Sequence, residues 1–315
     1  MKIGYLTACL PKRSLEYKMQ LARDLGFDAL EVACWPRLNT RDYSSSDIDA
    51  KTLTQDEADE IVGKAAEHGL VISALAYYDN NLSADPEVRA FVNQHSRDVI
   101  KAAGMLKVPY VGVFIGRDIA LSIEDNFPAF QTVFTDLTAY ATAHNVGLMI
   151  ENCPMVGWQQ MGAPGTISFT PELWREMFER VPAANFGLNY DPSHMLIQGL
   201  DYIAPIYEFK DRIFHAHAKD SEIVPGQIAD MGFRNFQLKK NRSDTFWNYR
   251  MPGLGQINFP EFVKALKVAG YEGVLSIEHE DLAFHATEEL IVKGLKLGID
   301  YLRFVDEATD AMLNG

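Results

Sequence analysis

Residues 185–194 read Asn-Phe-Gly-Leu-Asn-Tyr-Asp-Pro-Ser-His, and residues 212–220 read Arg-Ile-Phe-His-Ala-His-Ala-Lys-Asp. Each begins as a short apolar run and ends in groups that can bind a metal: Asp191 with His194, and His215 with His217. A helix-like span lies between them. A strand that ends in a potential ligand twice in succession is unusual for a plain core, and it sets the frame for the rest of the chain.

Working outward, the same alternation recurs. Short β-rich runs occur at Lys2–Thr7, Ala29–Val32, Val71–Ala76, Tyr110–Ile115, Val146–Glu151, Phe186–Asp191, Ile213–His217 and Gly273–Glu278. Helical segments separate them. Ser14 caps one that Gly26 ends, and Thr54 with Glu57 forms a capping box for another. Pro86 opens a helix to about Leu106, one covers roughly Ile123 to His144, and Thr170-Pro171 opens one to about Arg180. Phe259–Val268 and about Thr287–Ala308 complete the set. Short runs alternating with helices, without clean polar alternation in the runs, predict parallel strands buried on both faces and a (β/α)8 TIM barrel. One domain over residues 1–315 is expected, with a long irregular lid-like loop at about 219–257. An open doubly wound sheet predicts a Gly-rich turn after the first strand, but Ala8-Cys9-Leu10-Pro11-Lys12-Arg13 has no glycine. No nucleotide-binding GxGxxG or Walker sequence follows the other runs.

Composition narrows the function classes. The chain has 315 residues, 47% hydrophobic, with formal net charge -14. That charge repels phosphate backbones and argues against a nucleic-acid partner. No apolar run approaches the roughly 18 residues of a membrane span. Cys9, Cys34 and Cys153 lack metal-knuckle spacing, and with no signal-peptide pattern the expectation is a cytoplasmic protein with reduced thiols.

In a barrel of this kind the C-terminal strand ends meet at one mouth. Runs five to eight would deliver Glu151, Asp191, His217 and Glu278 there. Three carboxylates and one imidazole favour a single divalent ion, manganese or magnesium, over structural zinc; cobalt or catalytic zinc is also compatible. The alternatives differ by residue. Asp191 before Pro192-Ser193 equally suits a helix N-cap. His215 and His217 share one strand face, so periodicity does not choose between them. Glu151 and Glu278 each follow an apolar run, and a buried carboxylate needs a cation or several hydrogen bonds.

Nearly the whole chain resembles the xylose isomerase-like TIM barrels of the sugar phosphate isomerase/epimerase group, which includes the ketose 3-epimerases. Glu151-Asn152, Asp191-Pro-Ser-His194, His215-Ala-His-Ala-Lys-Asp220 and Pro252-Gly-Leu-Gly255 carry the likeness. The resemblance implies one divalent metal on Glu151, Asp191, His217 and Glu278, which selects His217 over His215, and it implies His194 as a substrate contact. It also implies Glu151 and Glu278 as catalytic groups. One removes and the other returns a proton beside a carbonyl, through a metal-stabilised enediolate. The substrate expected is a sugar or keto-sugar. Relatives are often dimers or tetramers, so a homodimer or homotetramer is open to this chain. Related members epimerise 3-keto-glycosides or eliminate their aglycone from the same type of intermediate, and a non-catalytic sugar-binding barrel is a further alternative. The superfamily's zinc endonuclease for abasic DNA requires histidines where this chain has Ala76-Tyr77-Tyr78 and Ile115-Gly116-Arg117, and an Asp-x-His where it has Trp247-Asn248-Tyr249. Nuclease activity is therefore not expected.

Lys219 is a candidate hydrogen-bond donor to substrate, or else a rim lysine reaching for water. Arg250 is a candidate partner for an acidic or phosphorylated group. Trp158, Trp35, Phe233, Phe236, Phe246, Trp247 and Tyr249 either stack on a sugar or pack the lid and interfaces. Cys153 lies near Glu151 with no base visible beside it, so a nucleophilic role is not expected.

Overall fold

The computed structural model describes residues 1–37, 46–155, 164–232 and 245–314. The apolar runs are its parallel strands: β1 Lys2–Leu6, β2 Ala29–Ala33, β3 Val71–Ala76, β4 Tyr110–Val113, β5 Gly147–Glu151, β6 Phe186–Tyr190, β7 Ile213–Ala218 and, later in the chain, β10 Val274–Ile277. Consecutive strands pair side by side, and β10 pairs with both β7 and β1, which closes the barrel. The expected single-domain (β/α)8 barrel is the observed fold. Strands β2, β5 and β6 are buried throughout, as a parallel strand covered on both faces must be.

The helices begin where the sequence places their caps. Ser14 accepts from Tyr17 at the start of α1 (Leu15–Leu25), and Thr54 and Glu57 form the capping box of α2 (Gln55–Glu67). Asp85 caps α3 (Pro86–Leu106), Ser122 caps α4 (Ile123–Ala143) and Thr170 caps α5 (Pro171–Arg180). Phe130 and Phe134 of α4 lie with ring centroids 6.1 and 5.6 Å from Phe186 of β6. Such aromatic pairs add about 0.5–1.5 kcal/mol each beyond their buried area.

Three stretches differ from expectation. The run 110–115 leaves the barrel after Val113, because Gly116 bridges to Thr166 and Ile115 O accepts from Ile167 N. The span between β6 and β7 is two short helices, α6 (Pro192–Ile197) and α7 (Ala204–Glu208). Gly199, at φ +71°, ends the first, and Asp201 accepts from Ile203 N and Ala204 N at the start of the second. The stretch 219–257 is partly regular. β8 (Asp220–Ile223) and β9 (Trp247–Arg250) form an antiparallel ribbon, with α8 (Pro225–Met231) between them. α9 (Phe259–Val268) follows, and α10 (Glu288–Asn314) continues six residues past its expected end. No helix among the described residues is long and apolar enough to cross a membrane.

Candidate metal centre

The strand ends converge as the topology requires. Glu151 ends β5, Asp191 follows β6, His217 is the penultimate residue of β7, and Glu278 follows β10. One ligand atom from each lies within 4.8 Å of the others. The first three are buried and Glu278 is nearly so.

Asp191 has one oxygen available for each role considered for it. Its Oδ1 accepts from Ser193 N at 2.7 Å and caps α6, while its Oδ2 faces the cluster. That Oδ2 and His217 Nδ1 are buried without a directed hydrogen bond, and Oδ2 has the Lys219 ammonium 3.2 Å away. A buried polar atom short of hydrogen bonds is costly, and a cation shared among the four groups would satisfy both. The donor set, with two atoms short of hydrogen bonds, thus fits a divalent ion.

His217 is aimed by a residue that the sequence reading passed over. Its Nε2 lies 2.9 Å from Glu31 Oε2 on β2. A carboxylate only accepts, so Nε2 carries the hydrogen and Nδ1 is turned to the cluster, 3.2 Å from Glu278 and 3.4 Å from Glu151. Asn189 Nδ2 is also 2.9 Å from Nε2, but the charge-assisted bond to Glu31 is the stronger and decides the arrangement. Tyr78 OH donates to Glu31 Oε1 at 2.7 Å and accepts from Asn189 Nδ2 at 2.8 Å. Gly112 makes room for that hydroxyl, since a Cβ there would lie 2.3 Å from it. Glu31 was detectable by the same argument as Glu151: a carboxylate inside the apolar run Ala29–Ala33 needs a partner. Burial raises the Glu31 pKa, but His217 above all overrides this and brings it down to about 2. Burial lowers the His217 pKa, yet Glu31 and Glu278 raise it well above the usual value. The Nδ1 position therefore favours a positive charge, proton or metal.

His215 takes the core role. Its Nδ1 donates to Asn189 Oδ1 at 3.0 Å and its Nε2 lies 3.1 Å from Ser73 Oγ. Burial holds its pKa down at about 4.

Lys219 is not a rim lysine. Its side chain is 2% exposed, and Nζ lies 2.5 Å from Glu278 Oε2, 3.1 Å from Glu280 Oε2 and 3.2 Å from Asp191 Oδ2. The ring of Tyr249 lies under it at 4.7 Å. Sequence position alone could not tell a buried lysine from an exposed one; the carboxylates that hold it follow two different strands, β6 and β10. His194 Nε2 stands 3.2 Å from Glu151 and 3.1 Å from Lys219, beside the cluster and in the wall of the adjoining cavity. It is also close enough to Cys153 to pull against the burial that raises that thiol's pKa, which corrects the expectation that no base stands beside it. Burial nevertheless raises the Cys153 pKa, against a thiolate nucleophile. Burial also pushes the Glu151 carboxyl up, but His194, His217 and Lys219 bring it down to about 2.

The ribbon stands over this cluster. Asp220 Oδ2 accepts from Gly253 N and Gly255 N, and its Oδ1 from Ser221 N and Ile257 N. This gives the Pro252-Gly-Leu-Gly255 motif a physical reason. A Cβ at Gly255 would sit 2.3 Å from Asp220 Oδ1, and Gly253 adopts φ +86°. Arg250 is held by Glu222 at 2.5 Å and Asp281 at 3.3 Å, so its charge is already paired within the chain. Phe246 and Trp247 pack edge to face at 4.8 Å with Ile197 beside them, which supports the packing role for this pair. Trp158, Phe233 and Phe236 lie outside the described residues. A cavity of about 950 Å³ joins the cluster to the ribbon, with Glu151, His194, Lys219, Glu278, Trp247 and Tyr249 in its wall.

With the closed barrel and the strand-end cluster in place, comparison with known proteins decides the family. The xylose isomerase-like TIM barrel model matches residues 19–302. The chain belongs to that family. It is 27% identical over 308 residues to the uncharacterized protein YfiH of Bacillus subtilis (strain 168), covering 90% of this chain and 93% of that one. It is 33% identical over 115 residues to inosose dehydratase of Geobacillus thermodenitrificans (strain NG80-2), covering 36% of this chain and 37% of that one. The structure of D-psicose 3-epimerase with D-tagatose from Clostridium cellulolyticum H10 superposes on it with TM-score 0.71 at 17% identity, covering 97% and 99% of the two chains.

Proposed function

We propose that this family member is a divalent-metal-dependent sugar isomerase or epimerase that moves a proton beside a carbonyl. The observation that carries the reading is the pair of glutamates, Glu151 and Glu278, in one cluster with Asp191 and His217, where His217 Nδ1 and Asp191 Oδ2 make no directed hydrogen bond. These four residues would hold the ion, and their three carboxylates support manganese or magnesium over structural zinc. When bound, a divalent ion supplies Lewis-acid polarisation of a carbonyl and its neighbouring hydroxyl.

The chain's own groups do the rest. Glu151 on β5 and Glu278 after β10 flank the positions given by β6 and β7, and so they approach a bound carbon from opposite sides. One takes the proton from the carbon next to the carbonyl and the other returns a proton to the opposite face, which inverts the centre. Both carboxyls have pKa values below the ordinary one despite burial, so either can serve as the base, and the other returns a proton that it has first taken up from solvent. His194 and Lys219 donate hydrogen bonds to substrate oxygens, and the β8–β9 ribbon acts as the lid that keeps water out. The cavity of about 950 Å³ holds a sugar with room to spare.

Elimination is the second reading, favoured by the partial likeness to inosose dehydratase. It begins with the same proton removal and ends with loss of a β leaving group, either water or the aglycone of a 3-keto-glycoside. Deuterium incorporation from solvent into candidate ketoses and 3-keto-glycosides tests both. Exchange without fragmentation is expected for the epimerase, and release of the leaving group for the lyase. Glu151→Gln and Glu278→Gln should each abolish exchange with the fold intact; exchange that persists in both variants would sink the two-glutamate mechanism.

A further inference from the structure

Lys219 bonds to more than one kind of carboxylate. Its Nζ lies 2.5 Å from Glu278 Oε2, 3.2 Å from Asp191 Oδ2 and 3.8 Å from Glu151 Oε1, three of the four groups of the candidate cluster. Its remaining carboxylate partner, Glu280 at 3.1 Å, is outside that cluster. Glu280 lies two residues beyond Glu278, and its side chain is 29% exposed in the cavity wall. His194 Nε2, also within reach of Nζ at 3.1 Å, carries no negative charge. The ring of Tyr249 closes the site over the ammonium, whose side chain is 2% exposed.

We propose that Lys219 is an internal cation that competes with the divalent ion for Glu278 and Asp191, and that Glu280 is the counter-ion that receives its ammonium when the ion binds. The inference rests on the metal reading above. Two cations sharing carboxylate oxygens a few ångströms apart repel strongly in a buried site. A buried ammonium cannot be left unpaired, so it needs a carboxylate that the ion does not use. Glu280 is placed for this, and the flexible lysine stem permits the short pivot. Metal affinity is then set by two residues that never ligate the ion.

The test is calorimetric titration of the full-length chain with Mn²⁺ and, in parallel, Zn²⁺. Lys219→Met should bind about tenfold tighter or better, and Glu280→Gln about tenfold weaker, because unit charges at these separations carry at least that much energy. Since Glu280 acts through Lys219, adding Glu280→Gln to Lys219→Met should change the affinity little. Glu280→Gln keeps the side-chain shape, so it reports even where Lys219→Met folds poorly. Unchanged or weaker binding by Lys219→Met overturns the inference while leaving the metal reading in place. An equal loss from Glu280→Gln with or without Lys219 overturns the counter-ion role. A wild-type chain that binds neither ion overturns the inference and the metal reading together.

Discussion

Glu31→Gln removes one charge at a residue outside the four proposed metal ligands, yet it should weaken metal binding. The Glu31 carboxylate is fully buried, holds His217 Nε2–H at 2.9 Å and accepts the Tyr78 hydroxyl at 2.7 Å. Glutamine has nearly the same shape but offers an NH2 as well as an oxygen. If that NH2 faces His217, Nε2 becomes the acceptor and the hydrogen moves to Nδ1, the atom turned to the cluster. An imidazole protonated at Nδ1 cannot donate its lone pair to an ion. Losing an outer partner of a metal-bound histidine costs about 10–100-fold in affinity or activity. That corresponds to about 1.4–2.8 kcal/mol, at 1.4 kcal/mol per tenfold. Fold stability should fall by a similar amount, since a hydrogen bond to a charged group contributes about 1.5–3 kcal/mol. The assay is a Mn²⁺ titration against a competing chelator, paired with urea denaturation of the same samples. An affinity within about twofold of wild type, well short of the predicted loss of about 10–100-fold, would refute the claim that Glu31 sets the His217 tautomer.

Two further predictions concern stability. Burial holds His215 and His279 at pKa values of about 4, below the ordinary 6.5, so the unfolded chain takes up protons that the folded core refuses. Their contribution is fully present above pH 6.5 and is lost as pH falls toward 4; the urea midpoint should therefore drop between those values. A midpoint that is flat across that window would show that neither imidazole is neutral in the native state. Asp220→Ala removes the acceptor for four backbone N–H groups, at Ser221, Gly253, Gly255 and Ile257. We expect a loss of at least about 2 kcal/mol and faster amide exchange at Gly253, Gly255 and Ile257, read by hydrogen exchange; unchanged protection there would mean that the ribbon is held by something else.

The sequence alone determined what depends on neighbours along the chain. Ser14, Thr54 with Glu57, Asp85-Pro86 and Thr170-Pro171 cap helices within a turn of themselves, so their effect is local and visible. The buried strands were visible because a parallel strand covered on both faces must be apolar throughout. The same rule exposed Glu151 and Glu278 as charged exceptions, and it would have exposed Glu31 had it been applied to β2. Tertiary structure decided what depends on groups far apart in the chain. Lys219 is buried because Asp191, Glu278 and Glu280 surround it, and His217 differs from His215 because Glu31, 186 residues away, bonds one and not the other. Asp191 was open between cap and ligand because each role uses one oxygen, and only the closed barrel brings the second oxygen to the cluster. Electrostatic interactions act through space, so the barrel had to close before the charges at its mouth could be assigned their partners.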